Sequence, residues 1–179
     1  MKSETLERAL KPLDDIDIRV ANICYLANKY GDIDPKYLDE AVERGPKSSS
    51  IRIRWDVARL ARSFGLQEAD KLYSNLIDSL VGEGLYEFAS IAALEIGLNS
   101  DAYRFLSKFI GFYGKEFYRL SLYKDYYRSG RGIRKDTEMG KLMQYYNTKL
   151  ENKNVKRAVK NLGLTSEYKE LKQLAKKVL

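Results

Sequence analysis

Apolar residues recur along the chain at helical spacing, and short polar or glycine-containing breaks cut the pattern into helix-sized pieces. Ile16, Val20, Ile23, Ala27 and Tyr30 predict one face of a first helix, with acidic residues in its first turn to complement the helix dipole. Residues 1–13 form a short amphipathic lead-in ended by Pro12. Gly31 stops the first helix, and Asp34-Pro35 restarts the chain as a cap followed by proline at the first helical position. Tyr37, Leu38, Ala41 and Val42 supply the apolar side of the second helix. After the loop Lys47-Ser48-Ser49-Ser50, Ile53, Val57, Leu60, Ala61 and Phe64 share a face, with Arg52, Arg59 and Arg62 largely away from it. Ala69, Leu72, Tyr73, Leu76, Ile77 and Leu80 make the cleanest stripe.

The pattern continues through Leu85, Phe88, Ala89, Ala92 and Ile96, where small residues let two helix backbones approach. Ala102, Phe105, Leu106, Phe109 and Tyr113 follow, and Gly111 with Gly114 is expected to break that helix. Met139, Leu142, Met143, Tyr146 and Leu150 line another helix. Val155, Ala158, Val159 and Leu162, then Tyr168, Leu171, Leu174, Ala175 and Val178, complete the chain. No stretch reads as a strand. The expectation is a single all-α domain over 1–179, with about ten short helices in five antiparallel pairs, arranged as a right-handed solenoid or a bundle. Its parts are an acidic first segment (1–45), the loop 47–50, a central region (51–113) and a basic C-terminal region (114–179).

A second pattern overlies the first. Glycines at 31, 65, 97, 130 and 163 are 32 to 34 residues apart, and three lie in the triplets Phe64-Gly65-Leu66, Ile96-Gly97-Leu98 and Leu162-Gly163-Leu164. Glycine tolerates the left-handed conformation that ends many helices, and the next residue commonly packs back on the last turn. A fixed period of this length is a signature of stacked helical repeats. Gly97 to Ala102 resembles the Gly-x-x-x-x-Ala turn of tetratricopeptide-type repeats, and Gly84-Leu85-Tyr86-Glu87-Phe88-Ala89 resembles their Gly-x-Tyr-x-x-Ala form. The resemblance is one of architecture, and it implies paired helices with a concave surface for a partner.

Composition narrows the chemistry. The 179 residues include no histidine, which removes histidine acid–base catalysis, Ser-His-Asp and Cys-His nucleophile systems, and histidine-containing zinc sites. One cysteine, Cys24, allows no internal disulfide and points to a cytoplasmic protein with an inert buried thiol. No apolar run is long enough to cross a bilayer, and no membrane partner is expected. The net charge of +7 is uneven: residues 1–100 carry 13 Lys/Arg and 17 Asp/Glu, whereas 101–179 carry 19 and 8. Such asymmetry points one end of the molecule at a polyanion or an acidic surface.

The candidate site lies in that basic end. Arg104 and Lys108, Lys115 and Arg119, and Lys124 and Arg128 are each four apart and share helix faces, with Tyr118, Tyr126 and Tyr127 among them. Arg131, Arg134 and Lys135 surround a glycine-containing loop, and Lys153, Lys156, Arg157 and Lys160 form a second basic face opposite Val155, Ala158, Val159 and Leu162. Cations attract phosphates, and tyrosine rings stack on unpaired bases without sequence preference. The same tyrosines at helical spacing also suit a core, and the same cations a solvated face. Asp14, Asp15 and Asp17, and Asp32 with Asp34, have the chemistry to hold a hard cation but suit helix caps better. The expectation is a non-enzymatic helical-repeat protein that binds RNA or another single-stranded nucleic acid, with no cofactor, metal or catalytic residue. The alternative is a scaffold for an acidic protein surface, including a second copy of the chain.

Overall fold

A computed structural model of the chain describes residues 15–31, 33–126 and 138–178, with side chains omitted at 123–126, 138, 139 and 143. The lead-in 1–13 and the loop 129–135 lie outside the described residues. Those described form nine α-helices and no strand. They are α1 (Ile16–Tyr30), α2 (Pro35–Arg44), α3 (Ile51–Ser63), α4 (Ala69–Gly82), α5 (Tyr86–Glu95), α6 (Asn99–Tyr126), α7 (Glu138–Glu151), α8 (Lys153–Asn161) and α9 (Thr165–Val178). The chain divides into two compact units between Ser79 and Leu80.

In the N-terminal unit, side-chain caps set the helix starts. Asp15 accepts the amides of Asp17 at 2.8 Å and Ile18 at 3.1 Å, Asp34 accepts that of Lys36 at 3.1 Å, and Ser50 that of Ile53 at 3.5 Å. Each bond satisfies an amide that the helix itself leaves open. Helix α1 packs against α2 and α3. Val20, Ile23, Cys24 and Ala27 of α1, Tyr37, Leu38 and Ala41 of α2, and Val57, Ala58, Leu60 and Ala61 of α3 are buried. Ile16 and Tyr30 belong to the predicted apolar face of α1, but they sit at its two ends and are about half exposed, at 49% and 46%. A 3-10 turn, Gly45–Lys47, follows α2, and a Cβ on Gly45 would stand 2.4 Å from Val57 Cγ2. Glycine is what allows the turn to lie against α3. Arg19 on α1 grips Glu40 on α2 through two bonds, of 2.5 and 2.9 Å, and Arg54 reaches the Ser79 hydroxyl at 2.8 Å.

In the C-terminal unit, α5 packs along α6, and α6 also meets α9. Helix α5 buries Ala89, Ser90, Ala92 and Ala93, small side chains that permit the close approach expected there. Ser90 donates its hydroxyl to the Ala102 carbonyl at 2.8 Å. The core joins Leu106, Phe109, Tyr113, Phe117 and Leu120 of α6 to Tyr146 and Leu150 of α7, Val155, Ala158 and Val159 of α8, and Tyr168, Leu171, Ala175 and Val178 of α9. The Tyr146 ring meets Tyr113 and Phe117 edge-on at centroid distances of 5.0 and 5.8 Å. The Tyr168 hydroxyl donates to the Leu150 carbonyl.

Helix α6 corrects one expectation. It runs 28 residues through Gly111 and Gly114 without a break. Each interior glycine costs a helix about 1 kcal/mol, and the buried ladder Phe109, Tyr113, Phe117, Leu120 continues past both and outweighs that cost. Leu142, expected on the apolar side of α7, is 39% exposed.

The glycine ladder marks a shared device. Gly65, Gly97 and Gly163 have φ of 67°, 80° and 71°, and Gly84, off the ladder, has 72°. After each, a leucine amide bonds the carbonyl five residues back: Leu66 to Ala61, Leu85 to Leu80, Leu98 to Ala93 and Leu164 to Val159, all at 2.8–3.0 Å. The glycine amide bonds the carbonyl three back, which completes the Schellman closure. Gly31 is also left-handed, and Gly130 lies outside the described residues. The leucines differ in burial: Leu164 is 3% exposed and Leu98 45%, so the backbone closure, rather than a constant apolar contact, is the common feature.

Candidate nucleic-acid interface

Helix α6 fixes the first part of the candidate site. Its buried residues lie on one side, which leaves Arg104, Lys108, Lys115 and Arg119 on the other, all exposed. At 1.5 Å per residue the row from Arg104 to Arg119 is about 22 Å long. Exposed apolar groups stand beside it: Tyr103 at 47%, Phe112 at 50%, Tyr118 at 58% and Leu122 at 52%. Two of the cations have carboxylates one turn back, Arg104 at 2.8 Å from Asp101 and Arg119 at 3.0 Å from Glu116. These are solvent-exposed pairs, which phosphate can displace at little cost. Lys108 Nζ lies 5.5 Å from the centre of the Tyr86 ring.

Helix α8 carries the second part. Asn152 caps it, with bonds to the amides of Asn154 and Val155. Val155, Ala158 and Val159 face the core, so Lys153, Lys156, Arg157 and Lys160 face water. Glu151, just before α8, bonds Lys156 and also pairs with Lys172 of α9 at 2.6 Å. The Lys156 hydrogen bond, followed by that of Lys172, holds the Glu151 carboxyl below its ordinary range.

The two basic faces are carried by separate helices. Helix α6 packs chiefly on α5 and α9, and α8 on α5, α7 and α9. Their ends meet around an open recess of about 710 Å³ lined by Leu94, Asn99, Ser100, Tyr103, Asn161 and Leu162. Arg104 and Lys160 are the chain neighbours of two lining residues.

Other expected site residues are placed less fully. Lys124 and Tyr126 belong to α6 by backbone, and their side chains lie outside those described; Arg128, Arg131, Arg134 and Lys135 lie outside the described residues altogether. The tyrosines divide between the two readings: Tyr113, Tyr146 and Tyr168 are core, while Tyr103, Tyr118 and Tyr145 are exposed. Burial, with Glu87 as a lesser influence, pushes the Tyr113 phenol well above its ordinary range.

Sequence reading did not single out Phe112 or Leu122, which lie on the solvent side of α6. Their positions outside the Phe109–Tyr113–Phe117 ladder were the available signal. It also passed over an ion pair inside the unit. Lys149 Nζ is 2.7 Å from Glu87 Oε1, with Glu87 2% exposed, and lies 4.7 Å from the Phe88 ring centre and 5.4 Å from that of Tyr145. Burial opposes the Lys149 charge, but the Glu87 bond and charge outweigh it and the pKa is raised. That pair joins α5 to α7 and is structural.

Asp15 and Asp34 are helix caps, and among the described residues no three acidic or cysteine side chains are grouped to hold a metal. Cys24 is 2% exposed, and burial raises its thiol pKa to about 12. Compared with protein-family models, with curated proteins and with solved structures, the chain matches none. Among the described residues no helix is long and apolar enough to cross a membrane.

Proposed function

We propose that the chain is a non-enzymatic cytoplasmic binding protein whose C-terminal unit holds single-stranded nucleic acid, RNA foremost, on the outer face of α6 and the basic face of α8. The observation that carries this reading is the α6 row: four exposed cations interleaved with exposed Tyr103, Phe112 and Tyr118, on the side of the helix opposite the core. Guanidinium and ammonium groups would neutralise phosphates while the rings stack on bases, a combination that suits an unpaired strand. The residues offer no groove-reading element, so the binding is sequence-tolerant. The repeated Gly-Leu closures support a repeat-like, tetratricopeptide-type build.

A second reading is a scaffold for an acidic protein partner or a second copy of the chain. Exposed Leu122 and the carboxylates already beside Arg104, Arg119 and Lys156 favour it. Salt separates the two. With four phosphate contacts, affinity for a single strand falls about 50-fold between ~50 and ~200 mM salt. The test is binding of a labelled single-stranded RNA and a matching DNA duplex to the intact chain and to a Lys108→Gln/Lys115→Gln/Arg119→Gln variant. Preference for the single strand, steep salt dependence and a loss of about tenfold or more in the variant are expected. Absence of binding to either ligand at low salt overturns the reading.

A further inference from the structure

The two basic rows of the C-terminal unit converge on the open recess at the ends of α6 and α8. Ser100, Arg104 and Lys108 are each four apart in α6 and share one side of it, and Lys153, Arg157 and Asn161 do the same in α8. Ser100 and Asn161 both line the recess. The α6 row therefore enters it from one helix and the α8 row from the other. Helix α5 packs on both helices and fixes their ends relative to each other. Leu94 of α5 and Leu162, just past α8, are partly buried against the core and form the apolar part of the lining.

The lining differs in chemistry from the rows that lead to it, because its six residues are all uncharged. Asn99, Ser100 and Asn161 offer amide and hydroxyl groups, and the Tyr103 ring is 47% exposed. Arg104, next to Tyr103 in the chain, is already engaged by Asp101 at 2.8 Å in an exposed pair. A phosphate or an acidic side chain finds no charge in this lining to replace its hydration. A neutral planar group with donors and acceptors along its edge fits better. Each asparagine amide presents both a donor and an acceptor, and a tyrosine ring stacks on a flat heterocycle. Proteins hold unpaired bases by this combination. The recess of about 710 Å³ falls within the ~300–1,000 Å³ typical of small-ligand sites.

We propose that the recess is a nucleobase site, into which a single strand crossing from the α6 row to the α8 row inserts one base. It rests on the reading that the ligand is a single-stranded nucleic acid. Tyr103 stacks on the base, the Asn99 and Asn161 amides bond its edge, and the flanking phosphates follow the two rows. The rows supply affinity that falls with salt. The recess adds affinity that depends on the base and little on salt.

The test compares a labelled uridine oligonucleotide with an abasic oligonucleotide of the same length, by anisotropy at ~50 and ~200 mM salt. The proteins are the natural chain, Tyr103→Leu/Asn161→Ala and Tyr103→Phe. Both positions are exposed, and leucine and alanine are good helix formers, so the fold is retained, as circular dichroism checks. The double variant should bind the uridine strand about tenfold more weakly. Its salt slope and its binding of the abasic strand should match those of the natural chain, because no cation has been removed. Tyr103→Phe keeps the ring and should bind as the natural chain does. Photo-crosslinking of a thiouridine strand to the natural chain locates the base without any substitution, and Tyr103 should be labelled. Crosslinks confined to other parts of the chain overturn the recess assignment. Equal uridine-strand affinity in the double variant and the natural chain overturns it as well, and leaves the proposed function standing. An equal loss for both strands also overturns it, since a base site cannot act on a strand without bases. No binding of the uridine strand to the natural chain at low salt overturns the nucleic-acid reading, and the recess assignment with it.

Discussion

The two units each contain an ion pair that joins separate helices, and the pairs differ in how much they have in reserve. In the N-terminal unit Glu40 takes two bonds from Arg19 and has Arg44 at 3.3 Å as a further cation. In the C-terminal unit Glu87 meets Lys149 alone among the described residues, at 2.7 Å, and is deeper, with its side chain 3% exposed against 17% for Glu40. A carboxylate with a spare cation and partial access to water survives the loss of one partner. A buried carboxylate with a single lysine does not. The units also differ in charge. Residues 1–79 are nearly neutral, whereas 80–179 carry 19 Lys/Arg and 11 Asp/Glu. The C-terminal unit thus combines an excess of surface cations with one critical cation inside.

The largest expected effect tests that contrast directly. Lys149→Met leaves Glu87 buried and unpaired, and it should destabilise the C-terminal unit by about 3–5 kcal/mol. Arg19→Gln leaves Arg44 beside Glu40 and should cost about 1 kcal/mol. Urea unfolding read by Trp55, which lies in the N-terminal unit, and by far-ultraviolet circular dichroism, which reads both, compares the two. Equal losses would remove the proposed difference between the pairs. A Glu87→Gln/Lys149→Met double variant should recover much of the single-variant loss, because it removes the orphaned charge.

A smaller effect separates two kinds of glycine, one in each unit. Gly65→Ala forces a side chain into the left-handed conformation and should destabilise by about 1–2 kcal/mol. Gly111 sits inside α6 with nothing within 4 Å of an added Cβ, so Gly111→Ala should stabilise by about 0.5–1 kcal/mol. Opposite signs in thermal or urea melts support the assignment of the first as a helix closure and the second as a helix interior. The same sign at both positions contradicts it.

The smallest effect concerns acid. The Arg19 hydrogen bonds, with the charges of Arg19 and Arg44, hold the Glu40 carboxyl below its ordinary value of 4.5. Its folded pKa is depressed, so the stabilisation is present above the unfolded value and lost as pH falls through the folded one. Trp55-detected stability should therefore decline below pH ~4.5 in the natural chain, and less steeply in Glu40→Gln. An identical acid limb in the two proteins would exclude Glu40 from the acid response.

Much of this architecture is legible in local sequence because its causes are local. Asp34-Pro35, Ser50 and the Gly-Leu pairs act within one turn of themselves, and they start or close helices where expected. The apolar stripes of α4 and α8 needed only the helical period. The break expected at Gly111 and Gly114 does not form, because a local propensity worth about 1 kcal/mol yields to a tertiary core, here formed with Tyr146, Leu150 and Tyr168. The candidate cations of α6 and α8 were legible as faces, since residues four apart on one helix share a side whatever that helix packs against. The split of the tyrosines into buried and exposed was not, because helical spacing is the same for a ring that packs and a ring that faces water.

By itself, then, the sequence determined the all-helical class, the caps at Asp34 and Ser50 and the Gly-Leu helix closures, and the segregation of positive charge to the C-terminal half. Each follows from composition or from groups within a few residues of one another. Only the tertiary structure decided that α6 is continuous, that Phe112 and Tyr118 are exposed while Tyr113 and Tyr146 are not, and that Lys149 turns inward to Glu87, 62 residues away. It also decided that Arg54 bonds Ser79 while Arg52, Arg59 and Arg62 stay exposed. Those outcomes depend on which helix lies against which, and no local window contains that information.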